Sequence, residues 1–374
     1  MEPRGAASRL ELKGIGKRRC GAAVLERIEL DVARGELVVI VGPSASGKTT
    51  ILRIIAGLEE PTEGHVRIGG HDASPLPPRD RGVAMVFQGL ALYPHLTVAG
   101  NLAFGIDVPR AERRRRVTEV ADSLGIASLL DRLPHTLSGG EKGRVALGRA
   151  LAAGRPILLL DEPLAGLDRA LRSELRSVIL RIHRQGASST VLVTHDQTDA
   201  MALADRLLII RAGRCEQVGP PGEVYASPRS TWVARFLGDP PMNLLAAIAL
   251  PSPAPAPDRS GGQAGGLQLL AAGEARLPVP PGVRLEPGRA VTAGVRPEAF
   301  RLVDPERAWI RGAVCAVDLL GGEKVIHLST SAGEVLARLP SGAAVARGDG
   351  VCLAGDDCSV RLFDGATGLA LAGA

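Results

Sequence analysis

Aromatic residues are scarce in this sequence, with two Trp, two Tyr and five Phe among 374 residues. None of them precedes Phe87, so aliphatic side chains must fill most of the interior. The apolar fraction of 45% and the charged fraction of 23% are those of an ordinary globular protein, which excludes a largely disordered chain. The length predicts at least two domains.

Paired cysteines and long apolar runs are also lacking. The five cysteines contain no C-x-x-C pair, which excludes a zinc or redox site of that kind and fits a reducing compartment. Residues 1–16 carry charges throughout, so they predict no signal peptide. The uncharged stretch 240–257 is interrupted by prolines and predicts no transmembrane helix. A role at a membrane would therefore depend on a partner.

Lysine is rare although the chain is basic. The formal net charge is +5, and five of the 45 basic residues are lysines. A solvated, arginine-rich surface is the simplest interpretation, and the run Arg113 to Arg116 within the helical pattern of residues 99–153 fits it. The alternative is a surface for phosphates, anionic lipid headgroups or nucleic acid.

The first part of the chain alternates between strand and helix patterns. Residues 9–40 predict short strands that end in a buried apolar run, Leu37 to Val41. An apolar segment of helical period, Thr49 to Leu58, follows a glycine-rich loop. Further buried strands are predicted at 157–160 and 190–194, each after helical sequence. This alternation predicts a parallel α/β sheet with right-handed crossovers.

The pattern changes after about residue 240. Residues 251–266 have the composition of a loop or linker. Short β-type runs follow at 290–295, 313–319 and 324–328, separated by glycine. Residues 240–374 are therefore predicted to form a separate, mostly β domain.

A phosphate-binding loop is predicted directly after the buried strand. The segment from Gly42 to Thr49 matches G-x-x-x-x-G-K-[ST] and opens a helix, which is the context that the motif requires. Backbone amides and the helix N-terminus would face phosphates, while Lys48 supplies charge and Thr49 a hydroxyl for Mg²⁺. A glycine-rich turn with an incidental lysine is the alternative. The predicted binding residues are Gly42, Pro43, Ser44, Ala45, Ser46, Gly47, Lys48, Thr49 and Thr50.

Two carboxylates end the apolar run that begins at Ile157. Asp161 would hold Mg²⁺, and Glu162 would orient and polarise the water that attacks the γ-phosphate. An acidic pair that begins a turn with Pro163 is the alternative. The preceding phosphate loop favours the catalytic interpretation.

A second anion site is predicted at the segment Leu137 to Glu141, which precedes helical sequence. Ser138, Gly139 and Gly140 would present a hydroxyl and free amides at a helix N-terminus. A plain N-cap with a flexible approach explains the same residues equally well.

Taken together, these motifs resemble the ATPase subunit of ABC transporters, whose signature is LSGGQ or LSGGE. Gln88 is similar to the family's Q-loop glutamine, which contacts Mg²⁺ or the lytic water. Leu167 and Asp168 resemble its D-loop, and His195 resembles its switch histidine, which contacts the γ-phosphate. The resemblance implies a Mg²⁺-dependent ATPase. Its fold would be a P-loop NTPase core with a parallel sheet, an antiparallel β subdomain and an inserted helical subdomain.

The resemblance also implies partners. Such subunits dimerise head to tail, so that Ser138, Gly139 and Gly140 of one copy would close on the ATP held by Lys48 of a second copy. Transmembrane permease subunits would bind the dimer, and a solute-binding protein would act indirectly. The chain would then lie peripherally at the cytoplasmic face of the inner membrane, and no nucleic-acid partner is expected.

The C-terminal part resembles the OB-like regulatory TOBE domain of importers. Residues 294–298 are similar to its GIRPE signature, and 238–243 resemble the junction segment of carbohydrate and glycerol-phosphate importers. The predicted domains are therefore 1–239, with a helical subdomain at about 89–153, and 240–374. Polyamine, ferric iron or another solute is the alternative cargo.

Two positions depart from the family pattern. Cys20 stands where an aromatic residue usually stacks on adenine, which leaves purine selectivity open, and Ala45 stands where glycine is commoner.

Two other functions compete with the transporter ATPase. A soluble ABC ATPase acting on nucleic acid or ribosomes would explain the arginines, but no second cassette, long coiled coil or zinc module is visible. A regulatory module with a dead ATPase conflicts with the presence of Lys48, Glu162 and His195.

Overall fold

The computed structural model of the chain describes residues 10–185, 188–251, 256–257, 263–264 and 268–371. The chain divides into two compact units, Met1–Val224 and Tyr225–Ala374. The predicted domain limit after residue 239 stays a prediction, and most of the linker predicted at 251–266 lies outside the described residues. In the described part of the chain, no helix is long and apolar enough to cross a bilayer.

A six-stranded sheet forms the centre of the first unit, in the order β10-β9-β3-β8-β7-β6. The five strands from β9 to β6 run parallel, and β10 pairs antiparallel with β9. The sheet strands are β3 (Leu37–Val41), β6 (Val83–Val86), β7 (Ile157–Asp161), β8 (Ser189–Thr194), β9 (Arg206–Arg211) and β10 (Arg214–Gly219). β3, β7 and β8 are buried along their whole length, as expected for apolar parallel strands covered on both faces. The predicted parallel α/β core is confirmed.

A four-stranded antiparallel sheet, in the order β2-β1-β4-β5, accompanies it. Its strands are β1 (Leu10–Arg19), β2 (Ala22–Val32), β4 (Glu63–Ile68) and β5 (His71–Asp72). The first two are longer than the short strands predicted for 9–40. Inward side chains of both sheets and of the helix after β3 form one aliphatic core, as the shortage of aromatics requires.

Helices follow several strands of the six-stranded sheet along the chain. They are α1 (Lys48–Ala56), α2 (Val98–Ala103), α3 (Arg110–Leu124), α4 (Gly139–Ala152), α5 (Arg169–Gln185), α6 (Gln197–Leu203) and, at the boundary of the two units, α7 (Pro221–Ala226). The apolar side of α3 buries Val117, Ala121 and Leu124, while Arg113, Arg114 and Arg115 are exposed and Arg116 is partly buried beside Glu112. Most of the arginine run therefore lies on the solvated side of an amphipathic helix.

The second unit is rich in β-structure. Two five-stranded sheets have the orders β15-β14-β11-β16-β22 and β17-β21-β18-β19-β20, and β12 pairs with β13. The elements are α8 (Thr231–Phe236), β11 (Asn243–Ala249), β12 (Ala256–Pro257), β13 (Gln263–Ala264), β14 (Leu269–Ala272), β15 (Ala275–Pro278), β16 (Ala290–Val295), β17 (Arg301–Leu302), β18 (Ile310–Leu319), β19 (Glu323–Thr330), β20 (Gly333–Pro340), β21 (Gly350–Ala354) and β22 (Val360–Asp364). The predicted β-rich C-terminal fold is confirmed.

The motif at 294–298 has a packing role in this unit. Buried Arg296 donates hydrogen bonds to the carbonyls of Ala234, Leu237 and Tyr225, and its guanidinium lies 3.8 Å from the Tyr225 ring centroid. The Tyr225 hydroxyl donates to Glu298 at 2.5 Å. Burial and this bond raise the pKa of Tyr225 to about 12. Arg296 of this motif therefore holds residues 225–237, which precede β11, against the start of the β-rich fold.

Candidate active site

The predicted phosphate loop joins the end of β3 to the start of α1 and needs glycine at both ends. A Cβ on Gly42 would lie 2.1 Å from the Ile210 carbonyl oxygen in β9. Gly47 has φ +102°, and a Cβ there would lie 2.5 Å from Cδ2 of Leu25 in β2. Close packing against two neighbouring strands therefore holds the loop tightly at both ends.

Lys48 folds back over its own loop. Its ammonium donates to the carbonyl oxygens of Gly42 at 3.0 Å and Pro43 at 2.7 Å, and the residue is only 5% exposed. Burial lowers the pKa of Lys48, while the charges of Glu162 and Asp161 oppose that shift. The lysine thus places a buried cation beside the loop amides.

Ala45 lies within the loop in the left-handed region, at φ +61°. Glycine adopts this conformation without the steric cost that a Cβ brings. The departure noted in the sequence is therefore a point of backbone strain.

Thr49 and Asp161 meet although 112 positions separate them in the chain. The Thr49 hydroxyl donates to Oδ1 of Asp161 at 3.0 Å, where α1 begins beside the carboxyl end of β7. Asp161 is 3% exposed, and burial raises the pKa of its carboxyl group. Two of the three predicted metal ligands therefore lie in direct contact.

Glu162 contacts both of the other predicted catalytic residues, His195 and Gln88. Its Oε1 lies 3.2 Å from Nδ1 of His195, and its Oε2 accepts a hydrogen bond of 3.3 Å from the Gln88 side-chain amide. Its backbone is left-handed, with φ +47°, and its N–H donates to the Val193 carbonyl in β8 at 3.0 Å. A strained residue thus brings segments from three strand ends together.

Ser138, Gly139 and Gly140 lie apart from that cluster. Ser138 caps α4, and its hydroxyl accepts from the Glu141 amide at 3.3 Å while its own amide donates to the Glu141 carboxylate at 2.7 Å. A Cβ on Gly140 would lie 2.8 Å from Cδ2 of Leu171 in α5. Among the described residues, this segment makes its hydrogen bonds locally and packs on α5. The N-cap is present, and the second anion site stays a prediction.

The D-loop residues connect to the same helix. Asp168 accepts hydrogen bonds of 3.0 Å from the amides of Ala170 and Leu171 and so starts α5. Leu167 lies 3.8 Å from the position that a Cβ on Gly139 would take. Cys20 is exposed at the turn between β1 and β2, with φ +48°.

Sequence reasoning missed two buried residues that hold this region in place. Asn101 in α2 is fully buried and makes four hydrogen bonds to the backbone of Tyr93, Leu96 and Thr97, just beyond Gln88. Arg81 donates to the carbonyls of Ile54 and Ile55 at the end of α1. An asparagine in an apolar helical stretch was the available signal for the first, because a buried amide needs partners. Nothing local marks Arg81.

The parallel sheet, the phosphate loop and the carboxylates after β7 are those of a P-loop nucleoside triphosphatase, and a β-rich unit follows in the chain. A family model described as "ABC transporter" matches residues 25–165, and one described as "TOBE domain" matches residues 293–363. The chain belongs to the ATP-binding proteins of the ABC transporter family, and it is an ATPase that binds and hydrolyses ATP.

Similar proteins span nearly the whole chain. The sn-glycerol-3-phosphate import ATP-binding protein of Cereibacter sphaeroides is 42% identical over 363 residues, which are 96% of this chain and 98% of that protein. The alpha-glucoside transport ATP-binding protein of Rhizobium meliloti is 41% identical over 361 residues, which are 95% and 97% of the two chains.

Solved structures match the nucleotide-binding part. One is a Clostridium perfringens protein described as part of an ABC transporter complex, with a TM-score of 0.55 and 27% identity over 59% of this chain and 91% of that chain. Another is a dimeric ATP-binding cassette in a post-hydrolysis state with ADP and phosphate. It has a TM-score of 0.51 and 30% identity over 57% of this chain and 98% of that chain.

Proposed function

We propose that this chain is the ATP-hydrolysing subunit of an ABC importer for a carbohydrate or a glycerol-phosphate-type solute. The names of the relatives from Cereibacter and Rhizobium support import and this class of cargo. Polyamine, ferric iron or another solute remains the alternative cargo. The observation that carries the hydrolytic role is the convergence of Gln88, Glu162 and His195 beside the phosphate loop.

Glu162 is proposed as the general base. Its carboxylate already holds contacts to His195 and Gln88 through its two oxygens, which would keep it in one orientation. From there it would orient and polarise the water that attacks the γ-phosphate in line. His195 would contact the γ-phosphate, and Lys48 with the loop amides would hold the phosphate chain.

Mg²⁺ fits the residues at the end of β7. Thr49, Asp161 and Gln88 offer hydroxyl, carboxylate and amide oxygens, which are the hard ligands that Mg²⁺ prefers. The hydrogen bond between Thr49 and buried Asp161 supports this assignment, because it orients one oxygen of each toward the other. When bound, Mg²⁺ neutralises charge on the β- and γ-phosphates.

A second copy of the chain is the proposed dimer partner. The N-terminus of α4, with Ser138, Gly139 and Gly140, makes no hydrogen bond to the phosphate loop of its own chain within the described residues. A helix N-terminus is suited to phosphate, so these residues would complete the ATP site of the other copy. The dimeric cassette with ADP and phosphate supports this arrangement.

Membrane attachment would come from permease subunits, because no described helix could span a bilayer. The chain would then be peripheral, at the cytoplasmic face of the inner membrane, and a solute-binding protein would act through the permease. Closure of the dimer on ATP and reopening after hydrolysis would drive the permease between two states.

The ATPase assignment is tested with the full-length chain. We expect Glu162→Gln to bind ATP normally, to lose turnover by about a hundredfold or more, and to accumulate as an ATP-bound dimer. Glu223→Gln, at an exposed carboxylate in α7, is the matched control and keeps wild-type turnover. Rapid hydrolysis by Glu162→Gln would exclude it as the base.

The cargo is tested by co-purifying the chain with its permease subunits and placing the complex in lipid vesicles, where its ATPase activity is measured. We expect ATPase activity to rise with a solute-binding protein loaded with a glucoside or with glycerol 3-phosphate. Stimulation by a polyamine or ferric ion would support the alternative cargo. Stimulation by DNA, without any dependence on solute, would instead support the soluble ABC ATPase.

A further inference from the structure

An ion pair joins α5 to the turn that carries His195. The Arg172 guanidinium donates to Oδ2 of Asp196, and the two side chains are 27% and 25% exposed. Partial shielding from water makes such a pair stronger than an exposed one. Asp196 directly follows His195, so Arg172 acts on the backbone immediately beside the imidazole.

Asp196 is itself fixed by its other contacts. Its Oδ1 accepts from the Asp199 amide at 3.0 Å and so caps α6, while its own amide donates to the Thr194 hydroxyl at 3.0 Å. One carboxylate oxygen therefore starts the helix and the other receives Arg172. His195 lies between Thr194 and Asp196, which are joined by the hydrogen bond given above. Its Nδ1 lies 3.2 Å from Glu162.

A second pair lies one helical turn along α5. Arg176 approaches Asp199 at 3.7 Å, and the Asp199 side chain is 1% exposed. Burial raises the pKa of Asp199, as does the nearby charge of Asp196, while Arg172 and Arg176 oppose the shift. Side chains four residues apart share a helix face, so the two arginines present one basic edge to the start of α6.

The first turn of α5 also contacts residues 137–141, the segment that resembles the family signature. Leu171, the neighbour of Arg172, lies so close to Gly140 that a Cβ there would be 2.8 Å from its Cδ2. Asp168 holds the same turn of α5 through the amides of Ala170 and Leu171. One turn of α5 therefore touches the signature glycine on one side and the His195 turn on the other.

We propose that Arg172 is a positioning residue for hydrolysis, which holds the His195 imidazole against Glu162 through its pair with Asp196. The proposal rests on the hydrolytic role given to Glu162 and His195. A movement of residues 137–141 would be transmitted to His195 and Glu162 through the first turn of α5 and this ion pair. A contact made at the N-terminus of α4 would therefore change the position of His195 relative to Glu162.

The test separates charge pairing from helix capping. Asp196→Asn keeps a good N-cap for α6 but removes the charge that Arg172 receives. We expect Arg172→Ala and Asp196→Asn each to lower kcat by about tenfold with KM for ATP changed less than about twofold. The double variant should be no slower than either single variant, because both remove the same interaction. Arg172→Lys should recover part of the loss.

Arg206→Ala is the matched control. Arg206 lies in β9, its side chain is 26% exposed, and it pairs with Asp31 and Glu36. The substitution therefore removes a similar ion pair from another place. We expect this variant to lose as much thermal stability as Arg172→Ala but to keep wild-type kcat. An equal fall of kcat in both variants would reduce the effect to general destabilisation and overturn the proposal.

Glu162→Gln and His195→Ala, measured alongside, distinguish the two levels of failure. If both lose turnover while Arg172→Ala and Asp196→Asn keep it, the positioning role is wrong and the hydrolytic site stands. If independent losses from Arg172→Ala and Asp196→Asn multiply in the double variant, the pair is not the link. If Glu162→Gln keeps full turnover, the proposed catalytic function itself fails.

Discussion

Two helices of the nucleotide-binding unit follow small N-cap residues, but their first turns are built in opposite ways. α1 begins after Gly47, which provides no side-chain cap, and its first turn contains no acidic residue. α4 begins after Ser138 and has a complete capping box with Glu141. The N-terminus of α1 therefore has no side-chain cap, whereas a serine and a glutamate cap the N-terminus of α4.

The charges beside the two helices follow the same division. Lys48 lies buried against the loop before α1, so a cation is already in place for phosphate. At α4, the hydrogen bond from the Ser138 amide is the main cause that lowers the pKa of Glu141, so its carboxylate keeps its charge there. These differences favour a phosphate loop before α1 that binds nucleotide alone. They predict that the proposed site at α4 adds only to a nucleotide that is already held.

The largest effect is expected from removing the cation at α1. Lys48→Ala should weaken ATP binding to the single chain by about a hundredfold, because hydrogen bonds to charged groups contribute up to about 3 kcal/mol. Equilibrium binding of a fluorescent ATP analogue measures the change. Lys142→Ala, in the first turn of α4, is the matched control and should leave this binding unchanged. Equal losses from both variants would remove the contrast between the two helices.

How far the sequence predicted this contrast depends on the range of the contacts. The strand before Gly42 and the carboxylates at 161 and 162 were visible because apolar runs and motif spacing are local patterns. The left-handed backbone of Glu162 was not, because the amide of this residue bonds to Val193 in β8, a later segment of the chain. Similarly, the pairing of β1 with β4 depends on contacts far apart in the chain.

Polar residues whose partners are distant were harder still to predict. A plain N-cap at Ser138 was one of the two interpretations of its segment, because a serine before helical sequence is a local pattern. Arg81 gave no such sign, since the carbonyls of Ile54 and Ile55 that it caps come from another segment. Arg172 likewise resembled any other arginine of an amphipathic helix until its contact with Asp196 was known. Local capping can be read from sequence, whereas capping and pairing across the fold cannot.

The second largest effect should come from adding charge at α4 without losing its cap. Ser138→Asp retains a favourable N-cap, so we expect the melting temperature to change by less than about 2 °C. Turnover should fall by at least about tenfold, because a carboxylate there would face the phosphates of the second copy. Both are measured on the full-length chain, by thermal unfolding and by ATP hydrolysis.

Ser138→Ala is the complementary variant. It loses the cap, which costs about 1 kcal/mol, but adds no charge. Stability should therefore fall more in Ser138→Ala, and turnover more in Ser138→Asp. If the alanine variant were the slower enzyme, capping of α4 would matter more than approach of an anion, and the second site would lose its support.

A smaller effect, in the favourable direction, is expected from neutralising the capping box. Glu141→Gln keeps both hydrogen bonds but removes the negative charge from the N-terminus of α4. In the Glu162→Gln background, ATP-driven dimerisation should become about two- to fivefold tighter by sedimentation. The gain should shrink in about 1 M salt. Glu112→Gln, in the first turn of α3, is the control, and a similar gain from it would indicate a general charge effect.

The smallest effect tests the strain within the open loop. At φ +61°, Ala45 bears a steric cost of about 1 kcal/mol, of which Ala45→Gly would return only a part because glycine gains entropy in the unfolded chain. We expect unfolding midpoints in denaturant to rise slightly, with ATP binding changed less than about twofold. Ala202→Gly in helix α6 should shift the midpoint the other way. If Ala45→Gly instead weakened ATP binding severalfold, the methyl group would be needed to hold the loop amides in place. The affinity of the α1 N-terminus for phosphate would then depend on the strained backbone as well as on the missing side-chain cap.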